Sequence, residues 1–111
     1  MNKCLFCSIA RGKGTTKLLA KTDLVAAFND INPKAPVHIL IIPQRHVNSP
    51  NQLSEAELKA IIDTAAQLVD KNNLQSDGYR LVFNVGRFAG QEIEHAHLHL
   101  LGGSKLTTSL A

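Results

Sequence analysis

The amino-acid sequence predicts an α+β fold built on a five-stranded, mostly antiparallel sheet with one long and one short helix. Five short runs of apolar and β-branched residues are separated mainly by short connections, and one longer helical crossover stands between the third run and the fourth. The 111 residues are 44% hydrophobic and 19% charged, the balance of a globular chain near the common size of one domain. We therefore expect residues 1–111 to form a single domain.

Two segments are expected to be helical. The short one covers Cys4–Arg11 and ends before Gly12. The long one begins at Ser54, because Ser54 and Glu57 have the spacing of a capping box and apolar residues then recur at helical spacing. We expect this helix to end near Asn72–Asn73.

The sheet is expected to take three strands before the long helix and two after it. Each strand is indicated by an apolar or β-branched run with turn residues or prolines at its ends. The third run, for example, lies between Pro36 and Pro43. In chain order the predicted strands are Leu18–Lys21, Leu24–Phe28, Val37–Ile42, Tyr79–Val85 and His95–Leu101.

Charge and hydropathy limit the classes of function. Twelve Lys and Arg against nine Asp and Glu give a net charge of +3, spread along the chain. That excess suits a small anionic ligand and argues little for nucleic acid. No apolar run approaches the roughly 20 residues of a membrane span, and the first part of the chain lacks the apolar core of a signal peptide. We expect a cytoplasmic protein with no nucleic-acid or membrane partner.

The most informative segment holds three histidines, His95, His97 and His99, which alternate with apolar residues. On a strand this alternation places all three imidazoles on one face. Neighbouring imidazoles are costly to bury and repel one another when charged, so the cluster indicates a function. Two functions suit it: coordination of a metal by two or three of the imidazoles, and nucleophilic catalysis by one of them.

The residues before these histidines favour catalysis on a phosphate. A hydrolytic metal site normally recruits carboxylates, and the acidic neighbours in the sequence are Glu92 and Glu94 alone. The loop from Asn84 to Glu92 instead contains two glycines and two side-chain amides. Backbone N–H groups next to glycines, together with amides, bind phosphate oxygens, and an imidazole that faces a phosphate is a candidate nucleophile.

At this point the sequence resembles a known family. His95-Ala-His97-Leu-His99-Leu-Leu is similar to the His-φ-His-φ-His-φ-φ signature of the histidine triad (HIT) superfamily, where φ is an apolar residue. Gly90-Gln91 before it and Gly102-Gly103 after it resemble the Hint branch, as does the segment 28–43. The Fhit branch, which splits dinucleoside polyphosphates, is less similar because its triad is not followed by this Gly-Gly.

The resemblance implies a fold, an assembly and a reaction. The fold would be HIT-like, and the sheets of two subunits would join into one continuous ten-stranded sheet in a homodimer. Each subunit would bind a purine nucleotide and hydrolyse the P–N bond of nucleoside 5′-monophosphoramidates, with no catalytic metal and no organic cofactor. His97 would attack the α-phosphorus and form a nucleotidyl-histidine, while His99 and His38 would contact phosphate oxygens and hold protons.

The resemblance also implies the nucleotide contacts. Asp30 would accept hydrogen bonds from both ribose hydroxyls, a task that needs two acceptor oxygens on one group. Asn84, Gly90, Gln91 and the backbone of Glu92 would lie on the phosphate side. An apolar slot would hold the purine, although core packing explains Leu40 of this slot equally well. The slot residues are Phe6, Ile9, Phe28, Ile31 and Leu40.

Cys4 and Cys7 have the spacing of half a tetrahedral zinc site, and two reduced, unliganded thiols fit the same spacing. A redox pair is expected where a helix follows a strand, and no strand is expected before Cys4. The sequence is also similar to bacterial HIT proteins and hexose-phosphate uridylyltransferases with a structural zinc. That similarity implies a zinc ion held by Cys4, Cys7, His46 and His95.

Three alternatives to a phosphoramidase stay open on the sequence. A nucleotide-binding regulatory protein with vestigial hydrolysis would bind nucleoside monophosphates tightly and turn over slowly. A metalloenzyme with the three histidines as ligands would lose its activity to chelators. A dinucleoside polyphosphate hydrolase would prefer the longer substrates.

Overall fold

The protein folds as an antiparallel sheet with a helix on each face. The computed structural model describes residues 4–107, so residues 1–3 and 108–111 of the predicted domain lie outside the described part. The strands are β1 Leu18–Lys21, β2 Val25–Asn29, β3 Val37–Pro43, β4 Tyr79–Phe83 and β5 Leu98–Gly102, and the helices are α1 Leu5–Ala10 and α2 Glu55–Lys71. Within the described range the strand order is β1-β2-β3-β5-β4, and every neighbouring pair is antiparallel. The predicted fold class and five-stranded sheet are confirmed.

Helix α2 covers one face of the sheet and carries the larger apolar core. Its start is set by the predicted capping box: the Ser54 hydroxyl accepts the Glu57 N–H at 3.1 Å, and the Glu57 carboxylate accepts the Ser54 N–H at 2.8 Å. Helix α2 packs Ile61, Ala65, Leu68 and Val69 against Val25, Ala27, Ile39, Ile41, Leu98 and Leu100 of the strands.

No helix among residues 4–107 is long and apolar enough to cross a bilayer.

Helix α1 covers the opposite face, where the histidines lie. Because side chains alternate along a strand, His38, Leu40 and Ile42 of β3 point away from α2. The same alternation on β5 places His99 on that face, between two leucines that point to α2. The apolar cluster under α1 consists of Phe6, Ile9, Ala10, Ala26, Phe28, Leu40 and Ile42.

The prediction for the start of the last strand is wrong. The sequence predicts a strand from His95, whereas β5 begins at Leu98, so His95 and His97 lie in the segment before it. The partner strand β3 ends at Pro43, which has no N–H to continue the ladder. The Ala96 N–H instead donates to the carbonyl of Val47 at 2.7 Å. The two histidines are therefore held by contacts with loops, and only His99 follows the strand alternation.

Candidate active site and metal cluster

His97 presents a free ring nitrogen. Its Nδ1 lies 2.7 Å from the carbonyl oxygen of His95, and because a carbonyl only accepts, Nδ1 carries the ring proton. A neutral His97 therefore has an unprotonated Nε2 with an available lone pair. The residue is 8% exposed and lies just ahead of β5. This arrangement is the one that a nucleophilic histidine needs.

His38 and His99 form a hydrogen-bonded pair across neighbouring strands. The Lys34 N–H donates to Nδ1 of His38 at 3.0 Å, so His38 carries its proton on Nε2. That nitrogen donates to Nδ1 of His99, 2.9 Å away. His99 then holds its own proton on Nε2, from which it can donate to a ligand. The ring centroids of His97 and His99 are 5.0 Å apart, so the three predicted catalytic histidines lie in one cluster.

Burial keeps the histidine pair neutral. Removal from water, followed by the neighbouring rings of His97 and His38, lowers the pKa of His99 to about 4. Burial also lowers the pKa of His38, against the attraction of the Asp30 carboxylate. At neutral pH both rings of the pair are therefore uncharged hydrogen-bonding groups.

Asp30 lies at the edge of this cluster, in the turn after β2. Its Oδ1 accepts the Asn32 N–H at 2.8 Å, which orients the carboxylate. Its Oδ2 lies 3.4 Å from Nε2 of His38, the nitrogen that donates to His99. The Asp30 side chain is 18% exposed, so a ligand at the surface can reach it. The carboxylate keeps further acceptor capacity on both oxygens.

Four of the five predicted purine contacts are buried together. The ring of Phe6 lies edge-on to His97, with the ring centroids 5.1 Å apart. Ile31 is instead 91% exposed in the turn beside Asp30. Among the five predicted contacts, Ile31 therefore exposes most of its surface, while the other four side chains pack against one another. The buried four are Phe6, Ile9, Phe28 and Leu40.

Gln91 holds the loop between β4 and β5 in shape. Its side-chain oxygen accepts the Gly86 N–H at 2.8 Å, and its amide nitrogen donates to the carbonyls of Asn48 and Ile93 at 2.9 and 3.0 Å. Both amide hydrogens are used in these bonds, so the Gln91 side chain orders the loop and has no hydrogen left for a phosphate. The other predicted phosphate contacts around it are the half-buried Asn84, Gly90 with φ +79°, and the exposed Glu92.

A second cluster gathers the four predicted metal ligands. Cys4 caps the N-terminus of α1, and its Sγ lies 3.3 Å from Nδ1 of His95. Cys7 lies one helical turn later, with its Sγ 3.2 Å from Nδ1 of His46. Nε2 of His95 donates to the carbonyl of Pro43 at 2.9 Å, so its unprotonated Nδ1 faces the sulfurs. The four ligand atoms lie within 4.8 Å of one another, which allows them to hold one metal ion.

Comparison with known proteins identifies the family. A profile of the HIT domain matches residues 11–106. The chain belongs to the HIT family. It is 42% identical over 110 residues to the purine nucleoside phosphoramidase of Escherichia coli (strain K12), an alignment that covers 96% of this chain and 92% of that protein. The resemblance drawn from the sequence, and the prediction of a HIT-family enzyme, are confirmed.

Solved HIT structures share this fold over nearly its whole length. A HIT family hydrolase from Legionella pneumophila is 42% identical, with a TM-score of 0.88 over 96% of this chain and 97% of the other. A histidine triad protein from Clostridium difficile is 34% identical, also with a TM-score of 0.88, over 99% of this chain and 100% of the other. The predicted HIT-like fold is confirmed.

Three contacts in this HIT protein are not predicted from its sequence. The Lys34 N–H and the Pro43 carbonyl orient His38 and His95 respectively. Both are backbone groups, and no residue type marks them in a sequence. The third contact is the approach of Asp30 to His38, because the sequence predicts for Asp30 only a bond to ribose.

Proposed function

We propose that this HIT protein hydrolyses the P–N bond of purine nucleoside 5′-monophosphoramidates. The observation that carries the proposal is the unprotonated Nε2 of His97, set by the bond from Nδ1 to His95 and placed beside the neutral donor His99. An imidazole is a good nucleophile near neutral pH and, once bonded to phosphorus, a good leaving group to water. The similarity to the Escherichia coli purine nucleoside phosphoramidase supports the substrate class.

The reaction would proceed by two displacements at phosphorus. In the first, the lone pair of His97 Nε2 attacks the α-phosphorus, and the amine leaves with the electron pair of the P–N bond and takes up a proton. In the second, water attacks the nucleotidyl-histidine, gives up a proton and returns the bonding electrons to His97 Nε2. His99, hydrogen-bonded to His38, would supply and recover the proton through its Nε2.

Asp30 and the loop after β4 would hold the nucleotide. The Asp30 carboxylate has acceptor capacity for both ribose hydroxyls, and the exposed Ile31 beside it would contact the purine. Asn84 and the backbone of Glu92 would face the phosphate. In this proposal Gln91 acts on the phosphate indirectly, because its side chain keeps the loop in the shape that presents those groups.

We further propose that Cys4, Cys7, His46 and His95 hold a structural zinc ion. Two thiolates and two imidazoles are the donor set of a closed tetrahedral zinc site, which has no vacancy for water. Burial raises the pKa of the Cys4 thiol, so that metal binding there would release a proton. The ion would tie the start of α1 to the segment before β5. Reduced thiols without a metal are the alternative.

We also propose a homodimer that extends the sheet through β4. This strand lies at the edge of the sheet, and no strand within residues 4–107 pairs with its outer side. Tyr79 and Leu81 of β4, with Leu58 and Ile62 of α2, are 38–46% exposed. Pairing of two copies would remove this apolar area from water. A cytoplasmic location, and the absence of nucleic-acid and membrane partners, stay predictions.

An assay of adenosine and guanosine 5′-phosphoramidates against dinucleoside polyphosphates, with and without a chelator, tests the proposed function. We expect nucleoside monophosphate to be released from the phosphoramidates in preference, and the initial rate to be insensitive to the chelator. Mass spectrometry of denaturant-quenched reactions should find the nucleotidyl group on the peptide that contains His97. A preference for dinucleoside polyphosphates, or tight monophosphate binding with no turnover, would contradict the proposal.

A further inference from the structure

The carboxylate of Asp30 lies against the nitrogen that joins the two buried histidines. Its Oδ2 is 3.4 Å from Nε2 of His38, and the ligand atoms of Asp30, His38 and His99 all lie within 4.8 Å of one another. The same Nε2 is hydrogen-bonded to Nδ1 of His99 at 2.9 Å. One N–H therefore has two acceptors within its reach, an imidazole nitrogen and a carboxylate oxygen.

His38 has one usable tautomer in this fold. The Lys34 N–H donates to its Nδ1, so a proton placed on Nδ1 would face another donor. His38 therefore keeps its proton on Nε2, and the two rings cannot share a further proton between them. If His99 took up a proton on Nδ1, two N–H groups would point at each other, and one would need another acceptor. Asp30 is the carboxylate that the structure places within reach.

We propose that Asp30 is a positioning residue that balances the charge of the His38–His99 pair, in addition to its contact with ribose. Its carboxylate accepts the N–H that is displaced when the pair takes up a proton. Its negative charge offsets the positive charge of the protonated pair, and hydrogen bonds between two charged groups are the strong ones. This inference rests on the proposed phosphoramidase reaction.

The extra proton serves the leaving amine. With substrate bound, the pair holds one additional proton and one positive charge. As His97 Nε2 forms its bond to phosphorus, the P–N bond breaks with its electron pair on the amine nitrogen, which takes a proton from His99 Nε2. His99 is left neutral with its remaining proton on Nδ1, and the N–H of His38 stays directed to Asp30. When water attacks the nucleotidyl-histidine, the proton of water returns to His99 Nε2 and the bonding electrons return to His97.

The other groups around the pair act against its protonation. Burial, the rings of His97 and His38, and the Lys34 ammonium all lower the pKa of His99, whereas Asp30 raises it. Asp30 also raises the pKa of His38, which burial and Lys34 lower. The anionic phosphate of a bound substrate acts in the same direction as Asp30. Without the charge of Asp30, the pair should therefore be protonated only at lower pH.

Asp30→Asn, assayed on a substrate without ribose hydroxyls, separates the two roles of Asp30. Asparagine keeps an acceptor for the Asn32 N–H, and it removes the charge together with the acceptor that faces Nε2 of His38. On 2′,3′-dideoxyadenosine 5′-phosphoramidate we expect kcat to fall by about tenfold or more relative to the unsubstituted protein. The alkaline limb of its pH profile should move to lower pH, because the pair loses its proton earlier. If Asp30 only bound ribose, neither quantity would change on this substrate, and the proposal would be overturned.

Asp63→Asn is the matched control for this experiment. It removes one carboxylate of the same kind, exposed on α2 and paired with Lys59. We expect it to leave both kcat and the pH profile on the dideoxy substrate as they are in the unsubstituted protein. If the two substitutions changed kcat and the pH profile equally, the effect of Asp30→Asn would come from a general loss of negative charge, and the proposal would be overturned.

Proton uptake on binding tests the inference without turnover. The methyl ester of 2′,3′-dideoxyadenosine 5′-monophosphate is a monoanionic phosphodiester with no group that titrates near neutral pH. Calorimetry in buffers of different ionisation enthalpy should find proton uptake at pH 7 in the unsubstituted protein and clearly less in Asp30→Asn. Equal uptake in both proteins, or none in either, would overturn the inference. Uptake as expected without any phosphoramidate turnover would contradict only the proposed reaction.

Discussion

At the scale of single residues, backbone groups decide what each histidine can do. The carbonyl of His95 holds the Nδ1 proton of His97 and leaves Nε2 unprotonated. The carbonyl of Pro43 holds the Nε2 proton of His95 and turns its Nδ1 toward two sulfurs. In the proposed function, these two residues of one motif would serve different chemistry: His97 would attack phosphorus and His95 would bind a metal.

The substitution His97→Ala should abolish turnover and leave nucleoside monophosphate binding within about tenfold, because a nucleophile contributes to bond making more than to ground-state affinity. Steady-state kinetics and calorimetry measure the two effects. His99→Ala is the comparison, since it removes a donor and leaves the nucleophile in place. If His97→Ala kept more than about a hundredth of the activity while His99→Ala did not, His97 would not be the nucleophile.

The stability of the fold should depend on pH through His99. Its pKa is about 4 in the folded chain, against about 6.5 in the unfolded chain, so the unfolded chain takes up this proton first. The contribution of neutral His99 to the free energy of unfolding is fully present above pH 6.5. It is lost as the pH falls toward 4, by up to roughly 3 kcal/mol. The free energy of unfolding, measured with urea at several pH values in this range, should change less with pH in His99→Asn, which has no imidazole to titrate at this position. Equal slopes for the two proteins would contradict the prediction.

At the scale of secondary-structure elements, α1 depends strongly on contacts with the rest of the fold. It is one of two α-helices in the described residues and has only six residues, so its own hydrogen bonds contribute little stability. Its position depends on the packing of Phe6, Ile9 and Ala10 against the sheet and on the cysteines at its start. Because Phe6 contacts His97, the position of α1 affects the proposed nucleophile.

Removal of the proposed zinc ion should destabilise the fold before it alters the chemistry. Protein purified without added metal and without a polyhistidine tag should contain about one zinc ion per chain. Chelation should then lower the midpoint of thermal unfolding by more than about 5 °C, because the start of α1 loses its attachment. Cys7→Ser should have a lowered midpoint that the chelator does not change further.

Ser8→Ala is the control for the metal experiment, because it changes the next residue of α1 and leaves every predicted ligand in place. It should keep both the bound zinc and the response to the chelator. Less than about a tenth of a zinc ion per chain, together with two freely titrating thiols in the native protein, would contradict the zinc proposal.

At the scale of the whole molecule, exposed apolar side chains lie on the edge strand β4 and on α2. The register pairs Leu81 of β4 with Leu100 of β5, and opposite residues of an antiparallel pair share a face, so Leu81 points to the α2 side. Leu58 and Ile62 of α2 are exposed as well. An unpaired edge strand together with exposed apolar residues on a helix favours pairing with a second copy about a two-fold axis.

Light scattering at micromolar concentration should therefore give a mass near twice the 12.1 kDa of one chain. Leu81→Lys places a charge in the proposed interface and should shift the mass toward that of a single chain. Leu24→Lys is the matched control, since Leu24 is also 38% exposed but lies near the opposite edge of the sheet. A single-chain mass for the unsubstituted protein would contradict the dimer.

Local patterns in the sequence determined the elements and the family. The pair Ser54 and Glu57 marks the start of α2, because a capping box acts over four consecutive residues and needs no partner elsewhere. Alternation placed His99 on the correct face of β5, and the spacing of the histidines pointed to the HIT family. The start of β5 was predicted wrongly, because it depends on where the neighbouring strand β3 ends at Pro43.

The sequence by itself also determined which residues are present for the chemistry: a triad of histidines, a carboxylate in a turn and a pair of thiols. Only the tertiary structure decided which nitrogen of each ring is free and which histidines act together. Those properties depend on the Lys34 N–H and on the carbonyls of His95 and Pro43. The sheet also brings His38 to His99 from 61 residues away. Hydrogen bonds are directional and short in range, so the protonation of a ring is settled only when distant backbone segments are packed against it.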